Sequence, residues 1–337
     1  CDATCIANSG LTLDQFPTTA AAWQDTDLDG YPDAWALDCD ATCIENSGLV
    51  LDQFPAIAGA GPDTDLDGNP DVWATGCDAN CQAATGLTLD SYLDDTDNDG
   101  INNSDDTDDN NDGITDADAD SDGLIDISSL EQLNAIRYNL MGTGRTLVDG
   151  GDSDSSGCPV AVVNGVHQFQ CMGYELINNL DFDTNADGVM DANDAYWNEG
   201  DGWEPLGSDN FPFGSLFDGN GHEIRNLYVN RPYEDGVGLF GAISGEAVIV
   251  SNLGLVGKLS NVLGADGVGL LAGFVGVSAE VSNSYAKGVV TGSYFVGGLV
   301  GLLTENASIS SSHAAALVSG DVYVGGLVGY LFEGSRI

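Results

Sequence analysis

Basic residues are scarce in this chain of 337 residues. It contains 7 Lys and Arg against 54 Asp and Glu, which gives a formal charge of −47. Such self-repulsion opposes folding unless cations bind or screening is strong. A nucleic-acid-binding surface is excluded, because phosphate backbones would be repelled. Hydrophobic residues still make up 42% of the chain, so the protein is not simply a disordered acidic tail.

Long apolar runs are missing as well. No run of 18 or more apolar residues is present, so we expect no insertion into a membrane. The sequence begins at Cys1 without Met or a signal peptide, which suggests a mature or partial chain. A lipid anchor on Cys1 is the less favoured alternative, because Cys1 is in register with a repeat. Eight Cys residues favour an oxidising compartment over the cytosol.

A 38-residue repeat organises the first third of the chain. "CDATCIANSGLTLDQFPTTAAAWQDTDLDGYPDAWALD" at 1–38 recurs at 39–76, and a third copy begins at residue 77. Each copy starts with a C-x-x-x-C pair, and small repeats with little core need such cross-links. We expect a disulfide inside each repeat, with bridges between neighbouring repeats as the alternative; zinc is disfavoured by the spacing. The pairs are Cys1 with Cys5, Cys39 with Cys43, and Cys77 with Cys81.

Acidic loops recur along the same region. In "DTDLDGYPD" carboxylates occupy positions 1, 3, 5 and 9, a carbonyl is offered at position 7, and Gly stands at position 6, which is the ligand order of a calcium loop. Random surface acidity, the alternative, would not keep Gly at position 6 in six loops. The predicted calcium ligands are Asp25, Asp27, Asp29, Tyr31 and Asp33; Asp63, Asp65, Asp67, Asn69 and Asp71; Asp95, Asp97, Asp99, Ile101, Asn103 and Asp106; Asp108, Asn110, Asp112, Ile114 and Asp116; Asp118, Asp120, Asp122, Leu124 and Asp126; and Asp183, Asn185, Asp187, Val189, Asp191 and Asp194.

The loops are incomplete at position 12. Only Asp106 and Asp194 provide an acid there, and neither is the bidentate Glu of an EF-hand. The other four loops must take a ligand from a neighbour, use water, or bind weakly. Through "DTDLDGYPD", "DTDNDGINN" and "DADSDGLID" residues 1–127 resemble the thrombospondin type 3 repeats of bacterial surface proteins. That resemblance implies an array that calcium makes rigid, although the 38-residue spacing departs from the compact family pattern.

The middle of the chain contains a helix and a hairpin. "ISSLEQLNAIRYNL" at 127–140 has apolar residues at helical spacing and predicts a short amphipathic helix that begins at Ser128 or Ser129. "CPVAVVNGVHQFQC" at 158–171 predicts a hairpin that turns at Asn164-Gly165. Counting outward from that turn places Cys158 opposite Cys171 on a non-hydrogen-bonded pair, so we expect a disulfide between them.

The C-terminal region repeats at about 28 residues. "DGVGLLAGFV" at 266, "YFVGGLVGLL" at 294 and "VYVGGLVGYL" at 322 are successively 28 apart, and an earlier copy lies 31 before. Glycine-rich, β-branched repeats of this length predict a β-solenoid, in which stacked coils share one core. These residues, with "FDGNGHEIRNLYVN" at 217–230, resemble the GLUG motif of bacterial adhesins and some surface peptidases. The resemblance implies an extracellular scaffold and supplies no catalytic residue.

The predicted fold is mainly β. A right-handed β-solenoid at the C-terminus follows an irregular, disulfide-stapled calcium-binding repeat array with one short helix. The predicted domains are the Cys-containing repeats at 1–94, tandem calcium loops at 95–127, a segment at 128–235 with helix, hairpin, sixth loop and the start of the solenoid, and the solenoid proper at 236–337.

No convincing nucleophile or acid/base pair is present, so we expect no enzyme. We predict a secreted, extracellular or cell-surface bacterial protein that binds several calcium ions and serves as a filament subunit or an adhesin stalk. The sequence stops partway round a coil, so we expect either that the natural protein continues beyond Ile337 or that this end docks head-to-tail on a second copy or on other surface components. The alternatives are a carbohydrate-binding region, with polysaccharide as partner, and a scaffold region of a larger surface enzyme.

Overall fold

The protein folds as two units that are described separately. The computed structural model describes residues 14–36, 39, 41–97, 99–103, 106, 108, 116–146, 153–163, 166–332 and 334–337. Unit 1 comprises Cys1–Asp120 with Pro159–Phe169, and unit 2 comprises Ser121–Cys158 with Gln170–Ile337. The predicted Cys1–Cys5 pair, the Asn164-Gly165 turn and the ligands Asn110, Asp112 and Ile114 lie outside the described residues.

Unit 1 has little regular secondary structure. Helices α1 (Ala41–Ser47) and α2 (Ala79–Thr85) each follow a Cys, and the disulfides Cys39–Cys43 and Cys77–Cys81 join residues four apart. The Asp78 side chain caps α2 by accepting bonds from the amides of Asn80 and Cys81. The prediction of one short helix missed α1 and α2, because seven-residue segments without a wide apolar face carry no clear helical period.

The disulfide predicted from the hairpin register is present. Strands at Val160–Val163 and Val166–Phe169 pair antiparallel, with Val163 opposite Val166. Extending that register outward by five residues on each side brings Cys158 opposite Cys171, and the two are bonded with their Cα atoms 5.0 Å apart. The alternation of an antiparallel ladder therefore sufficed to identify the pair.

Unit 2 contains most of the strands of the described residues. In chain order over both units the strands are β1 Ile125–Ile127, β2 Arg145–Thr146, β3 Ser153–Asp154, β4 Val160–Val163, β5 Val166–Phe169, β6 Gly173–Leu176, β7 Leu180–Asp181, β8 Leu216–Asp218, β9 Glu223–Arg225, β10 Tyr228–Asn230, β11 Phe240–Ser244, β12 Ile249–Ser251, β13 Gly254–Val256, β14 Asn261–Leu263, β15 Asp266–Val268, β16 Ala272–Gly276, β17 Glu280–Ser282, β18 Tyr285–Ala286, β19 Val289–Thr291, β20 Tyr294–Gly297, β21 Val300–Leu303, β22 Ser308–Ser310, β23 His313–Ala314, β24 Leu317–Ser319, β25 Val322–Gly325 and β26 Val328–Leu331.

These strands stack as the coils of a β-solenoid. Parallel sheets run β1-β6-β8-β12-β17-β22, β7-β9-β13-β18-β23, β10-β14-β19-β24, β11-β16-β21-β26 and β15-β20-β25. The predicted 28-residue shift is confirmed, since Val268 pairs with Val296 and Val296 with Val324. The first sheet already includes residues 125–127 and 173–176, ahead of the glycine-rich copies from which the solenoid was recognised.

The core of unit 2 is a set of apolar ladders. One ladder runs through successive coils with every member at most 2% exposed: Ile125, Tyr174, Phe217, Val250, Val281 and Ile309. In β8, β12, β17 and β22 the ladder member is the middle residue of the strand, and each member pairs with the equivalent residue of the next coil. Burial of this apolar surface stabilises unit 2 through the hydrophobic effect.

The amphipathic segment at 127–140 is helical only in part. Helix α3 (Leu130–Ala135) begins after Ser129, whose hydroxyl accepts a bond from the amide of Gln132, and a 3₁₀ turn at Ile136–Tyr138 follows. Ile127 instead ends strand β1, because its backbone pairs with Leu176 in the solenoid sheet. A second 3₁₀ turn lies at Asn198–Gly200. The mainly β class with a C-terminal solenoid and an irregular disulfide-containing region is thus confirmed.

Candidate metal centre

Four of the acidic loops, those that begin at Asp25, Asp63, Asp95 and Asp183, share the same hydrogen bond within the loop. The carboxylate at position 1 accepts a hydrogen bond from the amide of Gly at position 6, at 2.9 Å for Gly30 to Asp25, 2.9 Å for Gly68 to Asp63, 2.8 Å for Gly100 to Asp95 and 3.0 Å for Gly188 to Asp183. The carboxylate at position 5 accepts from the amide at position 7, as in Tyr31 to Asp29 and Val189 to Asp187. These bonds close each loop on itself and turn its carboxylates inward.

Glycine at position 6 is required by conformation rather than by space. Gly30 has φ +102° and Gly68 has φ +88°, and a Cβ at either would meet no atom within 4 Å. Position 4 is also left-handed, at φ 67° in Leu28 and 62° in Leu66, a feature that the sequence pattern did not predict. Two left-handed residues in one short loop are strained, and strain of this kind is kept where a site needs it.

Three carboxylates converge in each of the first three loops. One oxygen from each member lies within 4.8 Å of the others in the groups Asp25, Asp27 and Asp29; Asp63, Asp65 and Asp67; and Asp95, Asp97 and Asp99. A further group, Asp118, Asp120 and Asp122, occurs along the chain where unit 1 ends and unit 2 begins. Like charges at such distances repel strongly unless a cation or protons compensate them.

Burial increases the electrostatic repulsion among these carboxylates. Asp25, Asp63, Asp65 and Asp95 are 5%, 4%, 3% and 1% exposed, and residues 1–120 contain 28 Asp and Glu but no Lys, Arg or His. Burial, followed by the charges of Asp67 and Asp65, raises the pKa of Asp63 to about 7, although the Gly68 amide acts in the opposite direction. Within the described ranges, buried Asp63 Oδ1 has no hydrogen-bond partner. A cluster of buried oxygen donors with an unpartnered oxygen suits a hard divalent cation.

The side chains at position 9 also hold the ends of each loop together. The Asp33 carboxylate accepts bonds from both the amide and the hydroxyl of Thr26, and Asp71 does the same for Thr64. In the third loop the Asn103 side chain bonds the amide and hydroxyl of Thr96. These side chains, predicted as ligands, join the end of each loop to its second residue.

Two acids that sequence reasoning did not select lie against the first two loops. Asp52 is 6% exposed, and its pKa is raised to about 7 by burial and then by the charges of Asp29, Asp27 and Asp33, with the Phe54 amide opposing. Asp90 is 7% exposed, and its charge contributes to the raised pKa of Asp65, which is due mainly to burial. Each lies in the repeat that follows the loop in question, directly after a leucine: Asp52 follows Leu51, and Asp90 follows Leu89. Their signal in the sequence is the shared interval of 25 residues, from Asp27 to Asp52 and from Asp65 to Asp90.

The remaining predicted ligands are placed in several ways. Asp106 lies close enough to the third loop that its charge contributes to the raised pKa of Asp97, and its carboxylate accepts from the Asp108 amide. Asp126 is part of strand β1. In the sixth loop Asp194, at position 12, accepts from the amides of Thr184 and Asp191, while Asn185 bonds Asp187. This loop folds like the first three but lies in unit 2, with Asp187 exposed.

Comparison with known proteins gives partial matches. No protein-family model matches the chain, so the resemblances to thrombospondin type 3 repeats and the GLUG motif stay predictions. Halomucin of Haloquadratum walsbyi is 37% identical over 117 residues, 34% of this chain and 1% of that protein. A Gly-rich membrane protein of Evansella cellulosilytica is 43% identical over 75 residues, 22% of this chain and 9% of that protein.

One solved structure also aligns. It is described as an immunoglobulin A1 protease from Bacteroides ovatus, with 17% identity, a TM-score of 0.39, and coverage of 66% of this chain and 65% of that chain. A score that low assigns neither fold nor activity. Among the described residues, none of the helices has the length and apolar character needed to cross a bilayer.

Proposed function

We propose that this chain is an extracellular calcium-binding structural protein of a bacterial surface, acting as a filament subunit or an adhesin stalk. The observation that carries the proposal is the set of buried, converging carboxylates in a 120-residue region that has no basic side chain of its own. Cations must come from solution, and their binding energy then becomes folding energy.

Calcium is the ion that the donors favour. Every donor offered by the first three loops is oxygen, and Ca²⁺ takes six to eight oxygen ligands at flexible geometry, whereas Mg²⁺ demands a near-ideal octahedron and retains several waters. Zinc would favour nitrogen or sulfur. The Cys39–Cys43 and Cys77–Cys81 pairs are closed as disulfides and offer no thiolate.

A structural role fits the rest of the molecule. A stack of coils with a continuous apolar core resists deformation without any cofactor, and disulfides persist in oxidising compartments. The names of the two partial relatives, a halomucin and a membrane protein, accord with a place at the cell surface. The partner in this role would be a second copy of the chain, another surface component or a polysaccharide. No enzymatic step is part of the proposal.

Calcium titration with electron microscopy tests the proposal. We expect saturable binding of several ions and ordered filaments or stiff rods in millimolar calcium that slacken or dissolve in EGTA. Magnesium at the same concentration is the matched control and should not restore the rods. Absence of calcium binding would overturn the proposal. Binding without any change in shape would leave a calcium protein but remove the mechanical role.

A carbohydrate-binding function is the second candidate, favoured by one surface of unit 2. Phe295, Tyr323, Tyr330 and Phe332 line a groove of about 520 Å³, with Phe295 stacked on Tyr323 at 5.3 Å between ring centroids. Phe295 and Tyr323 adopt left-handed φ of 54° and 57°, which is costly for aromatic residues. The half-buried ring of Phe295 and the exposed ring of Tyr323, held at such cost, are suited to stack on sugars.

Affinity electrophoresis in polysaccharide gels distinguishes this candidate. Tyr323→Ala should abolish any retardation, whereas Tyr233→Ala, at a residue 95% exposed elsewhere, should not. Retardation that both variants retain would exclude the groove as the binding surface.

A further inference from the structure

We infer that Asp52 and Asp90 each complete the metal site of the preceding repeat, so that each bound ion joins two consecutive 38-residue repeats. This inference rests on the proposed calcium binding and adds to it the identity of the missing ligand. Neither residue belongs to the D-x-D-x-D-G pattern from which the loops were recognised.

The position of Asp52 supports its role as a ligand. Its backbone amide donates to the Pro32 carbonyl at 3.0 Å, which anchors the second repeat on the end of the first loop. One side-chain oxygen, Oδ1, accepts from the Phe54 amide at 2.7 Å. The other, Oδ2, is buried and has no hydrogen-bond partner among the residues that the structure describes. The charges of Asp29, Asp27 and Asp33 in the first loop contribute to the raised pKa of this carboxyl group, after burial. A buried carboxylate oxygen without a partner is costly unless something binds it.

The arrangement repeats 38 residues later. The Asp90 amide donates to the Pro70 carbonyl at 3.0 Å, and its Oδ1 accepts from the Tyr92 amide at 2.7 Å. Its Oδ2 is again buried, with no hydrogen-bond partner in the described part of the chain. A backbone contact accompanies it, since the Asp95 amide of the third repeat donates to Asp65 Oδ2 at 3.0 Å. The equivalent amide in the second repeat, that of Ile57, lies close enough to Asp27 to affect its pKa. An accidental acidic contact would not recur in this detail.

The donor count explains why a ligand from the next repeat is needed. These two loops have no acid at position 12. Calcium needs further oxygens beyond three inward carboxylates. Asp52 and Asp90 supply one each across the repeat boundary, and ion binding then orders two repeats rather than one loop.

Asp52→Asn in the full chain tests the inference, with Asp14→Asn as the matched control. Asp14 holds the same place in the first repeat and makes the same bond to an amide two residues later, but it is exposed. In calorimetric titration with CaCl₂, the calcium affinity of one site in the Asp52→Asn variant should fall at least roughly tenfold. That is the smallest loss expected when even an outer-shell partner of a metal site is removed. Asp14→Asn should titrate like the unaltered protein.

Thermal unfolding separates a ligand from a merely structural residue. Without calcium, Asp52→Asn should unfold at the same or a higher temperature than the unaltered protein, because it removes a buried charge beside Asp27 and Asp29. With calcium, it should unfold at a lower temperature. A structural role of Asp52 would shift both melting temperatures in the same direction, and that result would overturn the inference.

A double-mutant cycle assigns the shared ion. Asp27→Asn and Asp52→Asn should be non-additive in their effect on calcium-dependent melting, since both would act on one ion, whereas Asp27→Asn and Asp90→Asn should be additive. If the unaltered protein binds no calcium, the proposed function fails. If it binds calcium but Asp52→Asn titrates like Asp14→Asn, only this inference fails.

Discussion

Unit 1 and unit 2 bury different chemistry. In unit 2 the buried side chains are stacked apolar ladders such as Tyr174, Phe217 and Val250, and its described ion pairs, among them Arg225 with Glu223, neutralise individual acids. In unit 1 the buried residues include Leu51 and several small alanines, together with aspartates such as Asp63 and Asp65. Under the proposed calcium binding, unit 2 is stabilised by its own apolar core and unit 1 by ions from solution.

Removal of calcium should have the largest effect on this contrast. By mass action, each site saturated at a hundred times its Kd contributes about 2.7 kcal/mol, so loss of several ions should unfold unit 1. Hydrogen exchange in EGTA should show rapid exchange of amides in residues 14–103, with strands β12 and β17 unchanged. Loss of protection in β12 and β17 as well would show that the solenoid also depends on the ion. Amides of the sixth loop, at 183–194, should be the local exception within unit 2.

A cavity in the solenoid should instead destabilise unit 2, independently of calcium. Phe217 is fully buried and contacts the rings of Phe213 and Phe240, so Phe217→Ala should cost about 3–5 kcal/mol in the free energy of unfolding of unit 2. The loss should be the same with and without calcium. Thermal unfolding measures it, with Tyr233→Ala as the exposed control. A calcium-dependent loss would contradict the separation of the two stabilising mechanisms.

Without bound metal, the stabilities of the two units should change in opposite directions as pH changes. Asp52 and Asp63 have folded pKa values of about 7 against an ordinary 3.8, so the folded form of unit 1 holds more protons than the unfolded form between those values. Its stability should therefore fall as pH rises from about 4 to 7. In unit 2 the pKa of Glu223 is lowered by hydrogen bonds from Arg225 and then Tyr285, so its contribution is present at neutral pH and is lost on acidification.

Calorimetry of metal-stripped protein at several pH values checks these opposite slopes. Added calcium should reverse the slope of unit 1, because the ion competes with protons for the same carboxylates. A unit 1 transition that does not move with pH in metal-free buffer would contradict the burial of charged Asp52 and Asp63.

A pair of glycine substitutions should give the smallest effect. Gly30 and Gly326 both have open space where a Cβ would stand, but only Gly30 has a left-handed backbone. Gly30→Ala should destabilise unit 1 by roughly 1–2 kcal/mol from backbone strain, and it should weaken the first calcium site. Gly326→Ala should be neutral or slightly stabilising. Melting in calcium measures both, and equal shifts would show that strain in the loop is unimportant.

Local patterns accounted for much of the fold and part of the site. The 28-residue register, the Cys158–Cys171 pair and the closing role of Gly30 all follow from neighbours along the chain or from exact periodicity. Reasoning along the chain failed where a residue has competing partners: Ile127 satisfies a helical period but joins strand β1 by pairing with Leu176. For Asp33 the structure adds a hydrogen bond from the Thr26 hydroxyl that the ligand pattern did not indicate, and its role as a ligand stays a prediction.

The sequence by itself determined the repeats, the acidic loops and the solenoid class, because each of these depends on spacing and on residue type within one turn or one coil. Only the tertiary structure decided that Asp52 and Asp90 face the loops of the preceding repeats while Asp14 is exposed. The three acids stand at the same place in their repeats and bond the amide two residues on. What distinguishes them is the carbonyl of Pro32 or Pro70 that receives the backbone amide, a contact across a repeat boundary that no local pattern encodes.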